Sequence, residues 1–457
     1  MICLKFIFAI VLGKTILAIN RLTGSGGTAA PGLIALKICP DMVKRLGSQL
    51  DKNILITGTN GKTTTARMVS SILKQANINH FHNRVGSNLL RGVASTLLKN
   101  SSISGKMPKG FYGLWETDEA AFPIISKQTK PIAVLITNLF RDQLDRYGEI
   151  NTLADKWKKA LLKLPSSSVV LLNANDATVA GLGKNLKTKV LYFGLSDPQL
   201  PNRESDHVSD AANCPVCMSE LTFSKCYLGH MGSYSCPKCG HIQPKKDFTM
   251  VKNNRQIVQI KTPRKIVSFK NSLPGVYNLY NFTAAASLAS LLSIKEADIT
   301  HALSNFKSAF GRVEKIKAGE KTLNIFLVKN PTGFNEVIET LIKNKKKITP
   351  LIVINDLIAD GTDVSWLWDV NFEKLAPYLK KTIVSGTRAY DMALRLKYTT
   401  SPPQEKIIAI QPNLKKAIDQ LLKSGDQNTY ILPTYTAMLQ TRKILNQMGL
   451  VHSSWRD

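Results

Sequence analysis

A short glycine- and threonine-rich segment constrains the fold of this chain more than any other part of it. The segment, Gly58-Thr-Asn-Gly-Lys-Thr-Thr-Thr65, follows an apolar run at 53–57 that is typical of a buried strand, and it opens a helical pattern. Backbone N–H groups in such a loop suit nucleotide phosphates. Lys62 supplies a cation for them and Thr63 a hydroxyl for Mg²⁺. The segment predicts a nucleotide site. The alternative is a glycine turn beside a surface lysine, because the two glycines are closer together than in the common phosphate-binding loop.

Apolar runs and helical patterns alternate along the rest of the chain, which predicts a parallel α/β sheet. Further buried strands are predicted at 132–136, 169–172 and 190–193, with a helix at 152–163 among them. A second α/β unit is predicted with strands at 324–328, 351–354, 382–384 and 430–432. The predicted organisation is a helical segment (1–50), a nucleotide-binding domain (51–313) and a smaller C-terminal α/β domain (314–457).

Four of the seven cysteines form two close pairs within the nucleotide-binding domain. Cys214 and Cys217 form one pair, Cys236 and Cys239 form the other, and 18 residues lie between the pairs. This spacing is typical of a zinc ribbon, in which two tight turns direct four thiolates at one ion. All four ligand positions are filled by protein, so the zinc is expected to be structural. The segment at about 205–245 is therefore interpreted as an inserted zinc ribbon, with a disulfide framework or chance spacing as the alternative.

The N-terminus carries an apolar run between two lysines. The run Phe6–Leu12 has seven residues, whereas a bilayer-spanning helix needs about 20. Apolar residues continue at 16, 17 and 19, and no clear small-residue cleavage site follows directly. The pattern favours a helix that is packed against the protein or lies on a membrane surface over a cleaved signal peptide.

The chain is strongly basic. It has 61 Lys and Arg against 32 Asp and Glu, a net charge of +29, and the excess is spread along the sequence. Such a balance indicates an anionic partner: a phosphorylated substrate, anionic lipid or nucleic acid. The sequence shows no aromatic and basic cluster typical of a base-stacking platform. No nucleic-acid partner is therefore expected.

Several motifs, in the same order as in that family, resemble those of the Mur ligases. The loop Gly58–Thr65 resembles their ATP loop. The other matching segments are Glu116-Thr-Asp-Glu-Ala120, Thr137-Asn-Leu-Phe-Arg-Asp-Gln-Leu-Asp-Arg-Tyr-Gly148, Asn173-Ala-Asn-Asp176, Asn278-x-x-Asn281 with Ala284–Ala286, and Gly311-Arg-Val-Glu314. Together they imply a Mur-ligase central domain over about 50–315.

The resemblance also implies roles for individual residues. Glu116 and Thr63 would hold Mg²⁺, Asn281 would lie near adenine, and Arg312 would reach a phosphate. Lys62 and Glu116, together with two aspartates named below, are the expected catalytic residues. The residues expected to bind ATP are Gly58, Thr59, Asn60, Gly61, Lys62, Thr63, Thr64, Asn138, Asn281 and Arg312.

Three departures from ordinary Mur ligases narrow the resemblance. Gln143 stands where the family usually has histidine, so the full Mg²⁺ ligand set stays open. The four-cysteine insertion is foreign to those enzymes, and only about 50 residues precede the loop. This layout resembles the Mur-ligase-like subunits of lipid II isoglutaminyl synthase. The C-terminal segments that also match are 329–335, 355–369 and 433–438.

The subgroup implies a specific activity and partner. Its members use ATP to activate the D-glutamate α-carboxylate in the stem peptide of lipid II, and a glutamine amidotransferase subunit supplies ammonia for amidation to D-isoglutamine. An aspartate of the C-terminal domain is thought to complete the partner's catalytic triad. Asp356, which follows a predicted buried strand, is the first candidate and Asp360 the second. Both could instead be carboxylates that cap turns.

Other functions and the cellular location stay open at this point. A stand-alone ligase resembling folylpolyglutamate synthetase is the alternative function, although the cysteine insertion and the C-terminal motifs argue against it. A heterodimer in the cytoplasm is expected. Contact with an anionic membrane at its inner face is left open, as are the residues that bind lipid II.

Overall fold

The computed structural model describes residues 4–22, 29–83, 88–140, 150–200, 202, 213–254, 256–307, 314–343, 345–400 and 408–451. They form two compact units. The first holds the described residues up to Lys307 and the second those from Glu314 onward.

The first unit is built on a sheet that contains nine described strands. These are β1 (Lys52–Thr57), β2 (His80–His82), β3 (Tyr112–Glu116), β4 (Ala133–Ile136), β5 (Val169–Asn173), β6 (Lys189–Leu195), β9 (Phe248–Asn253), β10 (Ile257–Lys261) and β11 (Ile266–Lys270). Their order is β11-β10-β9-β6-β5-β4-β1-β3-β2. Neighbouring strands of this sheet are parallel along β2-β3-β1-β4-β5-β6-β9. Within the sheet only β9-β10 and β10-β11 are antiparallel. Strands β7 (Thr222–Leu228) and β8 (Met231–Ser235) form a separate antiparallel hairpin.

Helices cover the sheet of the first unit. They are α1 (Leu4–Leu22), α2 (Ala30–Ile38), α3 (Met42–Gly47), α4 (Lys62–Gln75), α5 (Leu90–Asn100), α6 (Phe122–Thr129), α7 (Ile150–Leu161), α8 (Ala177–Gly181), α9 (Val276–Leu291) and α10 (Glu296–Ser304). Five of the six residues of β1 are buried, as expected for a parallel strand covered on both faces. Helix α9 is buried on nearly every side. Its small residues at 284–286 let it run through the core beside α4.

The second unit is a smaller α/β unit with a six-stranded sheet. Its strands are β12 (Glu314–Ala318), β13 (Lys321–Ile325), β14 (Pro350–Val353), β15 (Thr382–Ser385), β16 (Ile408–Ile410) and β17 (Asn428–Pro433). The order is β12-β13-β17-β14-β15-β16, and only β12 is antiparallel to its neighbour. The helices are α11 (Pro331–Ile342), α12 (Ala389–Lys397), α13 (Leu414–Lys423) and α14 (Tyr435–Gln447), with 3₁₀ turns at Ser365–Asp369, Phe372–Lys374 and Ala376–Tyr378.

The predicted fold class is confirmed. The predicted strands of the first unit agree with β1, β4, β5 and β6 to within about two residues. The strand predicted at 324–328 begins earlier, as β13, because its first residues pair with β12. Beyond Ile325 the backbone stays bonded to its other neighbour, with N–H groups of Phe326 and Val328 donating at 2.9 Å to β17 carbonyls. The predicted bounds therefore missed the buried Leu323 and took in three residues beyond the end of β13.

Candidate functional site

The backbone of the segment Gly58–Thr65, the nucleotide loop, requires glycine at two positions. Gly58 has φ 132° and Gly61 has φ 84°, conformations that side chains rarely adopt. A Cβ at Gly58 would lie 2.1 Å from Thr137 Oγ1, and one at Gly61 would lie 2.1 Å from Asn281 Oδ1. The loop therefore fits tightly between the end of β4 and helix α9.

Residues just after β4 hold the loop by its backbone. Asn138 accepts from the Asn60 N–H through Oδ1 at 2.8 Å and donates to the Asn60 carbonyl through Nδ2 at 3.0 Å. The Thr137 hydroxyl donates to the same carbonyl at 2.8 Å. The Thr59 N–H donates to the Asn138 carbonyl at 3.0 Å. The structure thus brings Asn138 to the loop, where it shapes the loop's backbone.

Lys62 is buried under the loop, with 6% of its surface exposed. Its Nζ donates to the carbonyls of Gly58 and Thr59, the latter at 3.1 Å. It also pairs with Glu119 Oε1 at 2.8 Å, and Glu119 is itself 2% exposed. A buried cation needs such a partner. The prediction did not assign Glu119 a role, although it lies in the matched segment 116–120.

Thr63 and Glu116 lie in direct contact at the start of α4. The Thr63 hydroxyl donates to Glu116 Oε1 at 2.7 Å. Glu116 ends β3, and Asn83 fixes its backbone by accepting from its N–H at 3.0 Å and donating to its carbonyl at 2.9 Å. A hydroxyl and a carboxylate this close are hard oxygen ligands of the kind that Mg²⁺ prefers. The predicted pair is therefore brought together.

Helix α9 reaches the loop through Asn281. The Thr65 hydroxyl donates to Asn281 Oδ1 at 3.3 Å, and Asn281 Nδ2 donates to Asn278 Oδ1 at 3.2 Å. Thr64 is buried in the first turn of α4. Arg312 and Gln143 lie outside the described residues.

The four predicted cysteine ligands converge at the base of the β7–β8 hairpin. Their Sγ atoms all lie within 4.8 Å of one another. The closest contacts are Cys214 to Cys239 at 3.6 Å and Cys217 to Cys236 at 3.5 Å, which are too long for disulfide bonds. Cys226 is buried within β7 and does not belong to the cluster. Four convergent sulfur atoms fit a tetrahedral metal ion.

The thiols in this cluster change one another's acidity. Hydrogen bonds from Ser219 lower the pKa of Cys217 to about 6. At Cys239 the His241 N–H lowers the pKa, but burial and the three neighbouring thiols outweigh it and raise the value to about 12. Crowded thiolates repel one another, and a bound divalent cation would relieve that repulsion.

The tip of the same hairpin lies against the residues after β4, which hold the nucleotide loop. His230 Nε2 lies 3.3 Å from Asp176 Oδ2, and both side chains are fully buried. Asp176 also accepts from the Leu139 N–H at 2.8 Å. The His230 ring lies 4.4 Å from that of Phe140. The cysteine insertion is therefore connected to the residues that follow β4. No sequence signal marked His230 for this contact.

The two candidate aspartates of the second unit have different surroundings. Asp356 accepts from the Thr387 hydroxyl and from Arg388 Nε, each at 2.7 Å. The Thr387 hydrogen bond and then the Arg388 guanidinium hold the pKa of Asp356 below its usual value. Asp360 accepts from the N–H of Thr436 at 2.8 Å and from its hydroxyl, and burial raises the pKa of Asp360. The prediction named both aspartates but missed Thr387, Arg388 and Thr436.

Two family profiles match the chain. The Mur ligase middle domain matches residues 56–289, and the MurT ligase C-terminal domain matches residues 327–438.

Known proteins resemble the chain over nearly its whole length. It is 30% identical over 98% of both chains to the lipid II isoglutaminyl synthase (glutamine-hydrolyzing) subunit MurT of Streptococcus pneumoniae. It is 31% identical to the subunit of that name from Staphylococcus aureus, over 96% of this chain and 97% of that one. Among solved structures, a pseudomurein peptide ligase type C from Methanothermus fervidus has a TM-score of 0.68, with 21% identity, 87% of this chain and 79% of that chain covered.

Proposed function

The chain belongs to the Mur ligase family, within it to the MurT subunits of lipid II isoglutaminyl synthase, and we propose that it is the ATP-consuming subunit of such an enzyme. Its reaction phosphorylates the α-carboxylate of D-glutamate in the lipid II stem peptide. Ammonia from a glutamine amidotransferase subunit then attacks the acyl phosphate, and D-isoglutamine forms as phosphate leaves. A free carboxylate resists ammonia because its oxygen is a poor leaving group, so ATP is required.

The placement of two polar pairs at one loop carries this proposal: Lys62 pairs with Glu119, and the Thr63 hydroxyl donates to Glu116. Lys62 would stabilise charge on the transferred phosphoryl group. To do so its Nζ exchanges the loop carbonyls or Glu119 for phosphate oxygens. The backbone N–H groups at the start of α4 supply further donors.

Two metal ions are part of the proposal. Thr63 and Glu116 would hold Mg²⁺, which when bound neutralises phosphate charge. Cys214, Cys217, Cys236 and Cys239 would hold Zn²⁺ in a structural site, since all four positions are filled by protein. Through the His230–Asp176 contact, the zinc ribbon would support the residues after β4.

Asp356 is the better candidate for orienting the partner's catalytic histidine. Its pKa is lowered and its side chain stays partly exposed, so it can accept a hydrogen bond from an approaching imidazole. Asp360 is 8% exposed and already bonded to Thr436. The neighbouring Ile358 and Leu357 are 89% and 44% exposed. Apolar side chains beside a charged one suit a protein interface.

The proposal is tested by reconstitution with the amidotransferase subunit and mass spectrometry of lipid II. Amidation should require ATP and either glutamine or added ammonia. Lys62→Ala should lower both the glutamine- and the ammonia-driven rate about 10²–10³-fold. Lys74→Ala, an exposed lysine at the other end of α4, is the matched control and should change neither rate. Equal activity of Lys62→Ala and the control would refute the assigned mechanism.

A further inference from the structure

Helix α1 is apolar over much of its surface, but the structure buries only part of it. Phe6, Ala9, Ile10 and Gly13 face the protein, and the helix packs against α2 and α5. The residues at 4, 5, 8, 11, 15, 18, 19 and 22 are exposed. A helix face rich in large apolar side chains is normally covered.

The exposed positions form one continuous stripe. Their spacing of three and four residues places them on a single face of the helix. Large apolar side chains dominate it: Leu4 is 88% exposed, Phe8 57%, Val11 42%, Ile19 51% and Leu22 87%. From Leu4 to Leu22 the stripe is about 27 Å long. Exposed apolar patches of this kind mark an interaction surface.

The charge of the N-terminal segment indicates what covers the stripe. Residues 1–40 contain four basic residues, Lys5, Lys14, Arg21 and Lys37, and no Asp or Glu. This combination complements an anionic surface. It disfavours a second copy of the same face, because the like charges would repel one another. Among the described residues no helix has the length and apolar character to cross a bilayer.

We propose that α1 lies in the plane of an anionic lipid bilayer, with the stripe Leu4–Leu22 at the boundary between headgroups and acyl chains. The buried side of the helix holds the first unit against that surface. Helices with an apolar face and basic flanks bind bilayers in this way. The proposal concerns anionic bilayer lipid and not lipid II, and it does not depend on the amidation reaction.

The test is co-sedimentation of the full-length chain, alone and with its amidotransferase subunit, with vesicles that contain no lipid II. Binding to phosphatidylglycerol and phosphatidylcholine mixtures should exceed binding to pure phosphatidylcholine and should weaken as salt is added. The double variant Phe8→Gln, Val11→Gln should bind about tenfold more weakly or worse, since interfacial binding scales with buried apolar area. Leu162→Gln, which changes an exposed leucine elsewhere in the first unit, is the matched control and should bind like wild type.

Both variants change exposed side chains, and unchanged thermal melting would show that they fold. Equal vesicle binding by the double variant and wild type would overturn the proposal. So would a shift from dimer to monomer in the double variant without vesicle binding by wild type, since the stripe would then join two copies. Loss of vesicle binding when the amidotransferase is added would make the stripe a subunit interface and also overturn it.

Discussion

The nucleotide loop and the loop of Asp356 both follow a parallel strand, but they are built in opposite ways. The first follows β1, and its polar atoms are bonded to residues from the ends of β3 and β4 and from α9. Lys62, Thr64 and Glu116 are all buried there. The second follows β14 and exposes Leu357, Ile358 and part of Asp356. A loop fixed from several sides suits a ligand that it encloses, whereas an outward-facing loop suits a partner.

The largest effect, on glutamine-driven amidation, is expected at the loop of Asp356. Asp356→Asn should lower glutamine-driven amidation about 10²–10⁴-fold, because the partner's histidine would lose its orienting carboxylate. The rate with added ammonia should stay unchanged, since the nucleotide loop is intact. The measurement is the ratio of the two rates in the reconstituted complex. Asp360→Asn serves as the comparison: if it alone separates the two rates, Asp360 and not Asp356 faces the partner.

The next largest effect, on ATP binding, is expected at the nucleotide loop. Gly61→Ala adds a methyl group 2.1 Å from Asn281 Oδ1 at φ 84°, so the loop must move and ATP binding should be lost. Gly110→Ala is the matched control, with φ 77° and nothing within 4 Å of the added carbon. The control should cost only about 1–2 kcal/mol of unfolding free energy and keep its ATP affinity. Calorimetric titration with ATP measures the affinity of both variants. Equal affinity of Gly61→Ala and Gly110→Ala would show that the loop has room for a side chain at position 61.

A smaller effect is expected where the zinc ribbon meets the enclosed loop. His230→Phe keeps the ring beside Phe140 but removes the hydrogen bond to buried Asp176. The KM for ATP should rise about 5–30-fold, which corresponds to about 1–2 kcal/mol, the lower part of the cost of an unsatisfied buried group. His230→Gln, which can still donate, should recover part of the loss. His301→Phe, at an exposed position on α10, should leave the KM unchanged. A change in kcat alone would argue against a role in loop positioning.

The smallest effect is the pH dependence of stability at the two aspartates. The pKa of Asp356 is lowered in the folded protein, so its contribution is present above the unfolded value of about 4 and is lost as pH falls through the folded value. The pKa of Asp360 is raised, so wild type gains stability as pH falls from the folded value to about 4.

Urea unfolding of wild type, Asp356→Asn and Asp360→Asn at pH 7, 5 and 3 measures both trends. The stability difference at Asp356 should stay constant from pH 7 to 5 and shrink at pH 3. It should be below about 1 kcal/mol, because Asp356 and Arg388 are partly exposed. The difference at Asp360 should change above about pH 4 and then level off. Parallel trends for both variants would contradict the assigned surroundings.

The elements that sequence patterns predicted best were those with local signals. The glycines at 58 and 61, followed by Lys62, mark a loop that needs a positive φ at those two positions, and both glycines have a positive φ in the structure. The cysteine pairs were equally clear, because each pair sits on one turn and the four sulfur atoms need only converge. Predicted strands matched to within a few residues because buried parallel strands are continuously apolar.

Contacts between distant segments could not be predicted in the same way. Glu119 beside Lys62, His230 beside Asp176 and Arg388 beside Asp356 join residues that are 57, 54 and 32 positions apart. Nothing in the sequence around either partner marks such a pair, because the order of strands in the sheet decides which distant residues meet.

The sequence by itself determined the nucleotide loop, the cysteine cluster and the alternation that makes this an α/β protein, because each is marked by residues that lie close together in the chain. The tertiary structure decided which carboxylate is buried and which faces outward: Asp356 and Asp360 share one loop, and only packing against Arg388 or Thr436 separates them. It also decided that the largely apolar N-terminal helix has one covered and one exposed face. Burial depends on what the rest of the chain places next to a residue, and no local pattern contains that information.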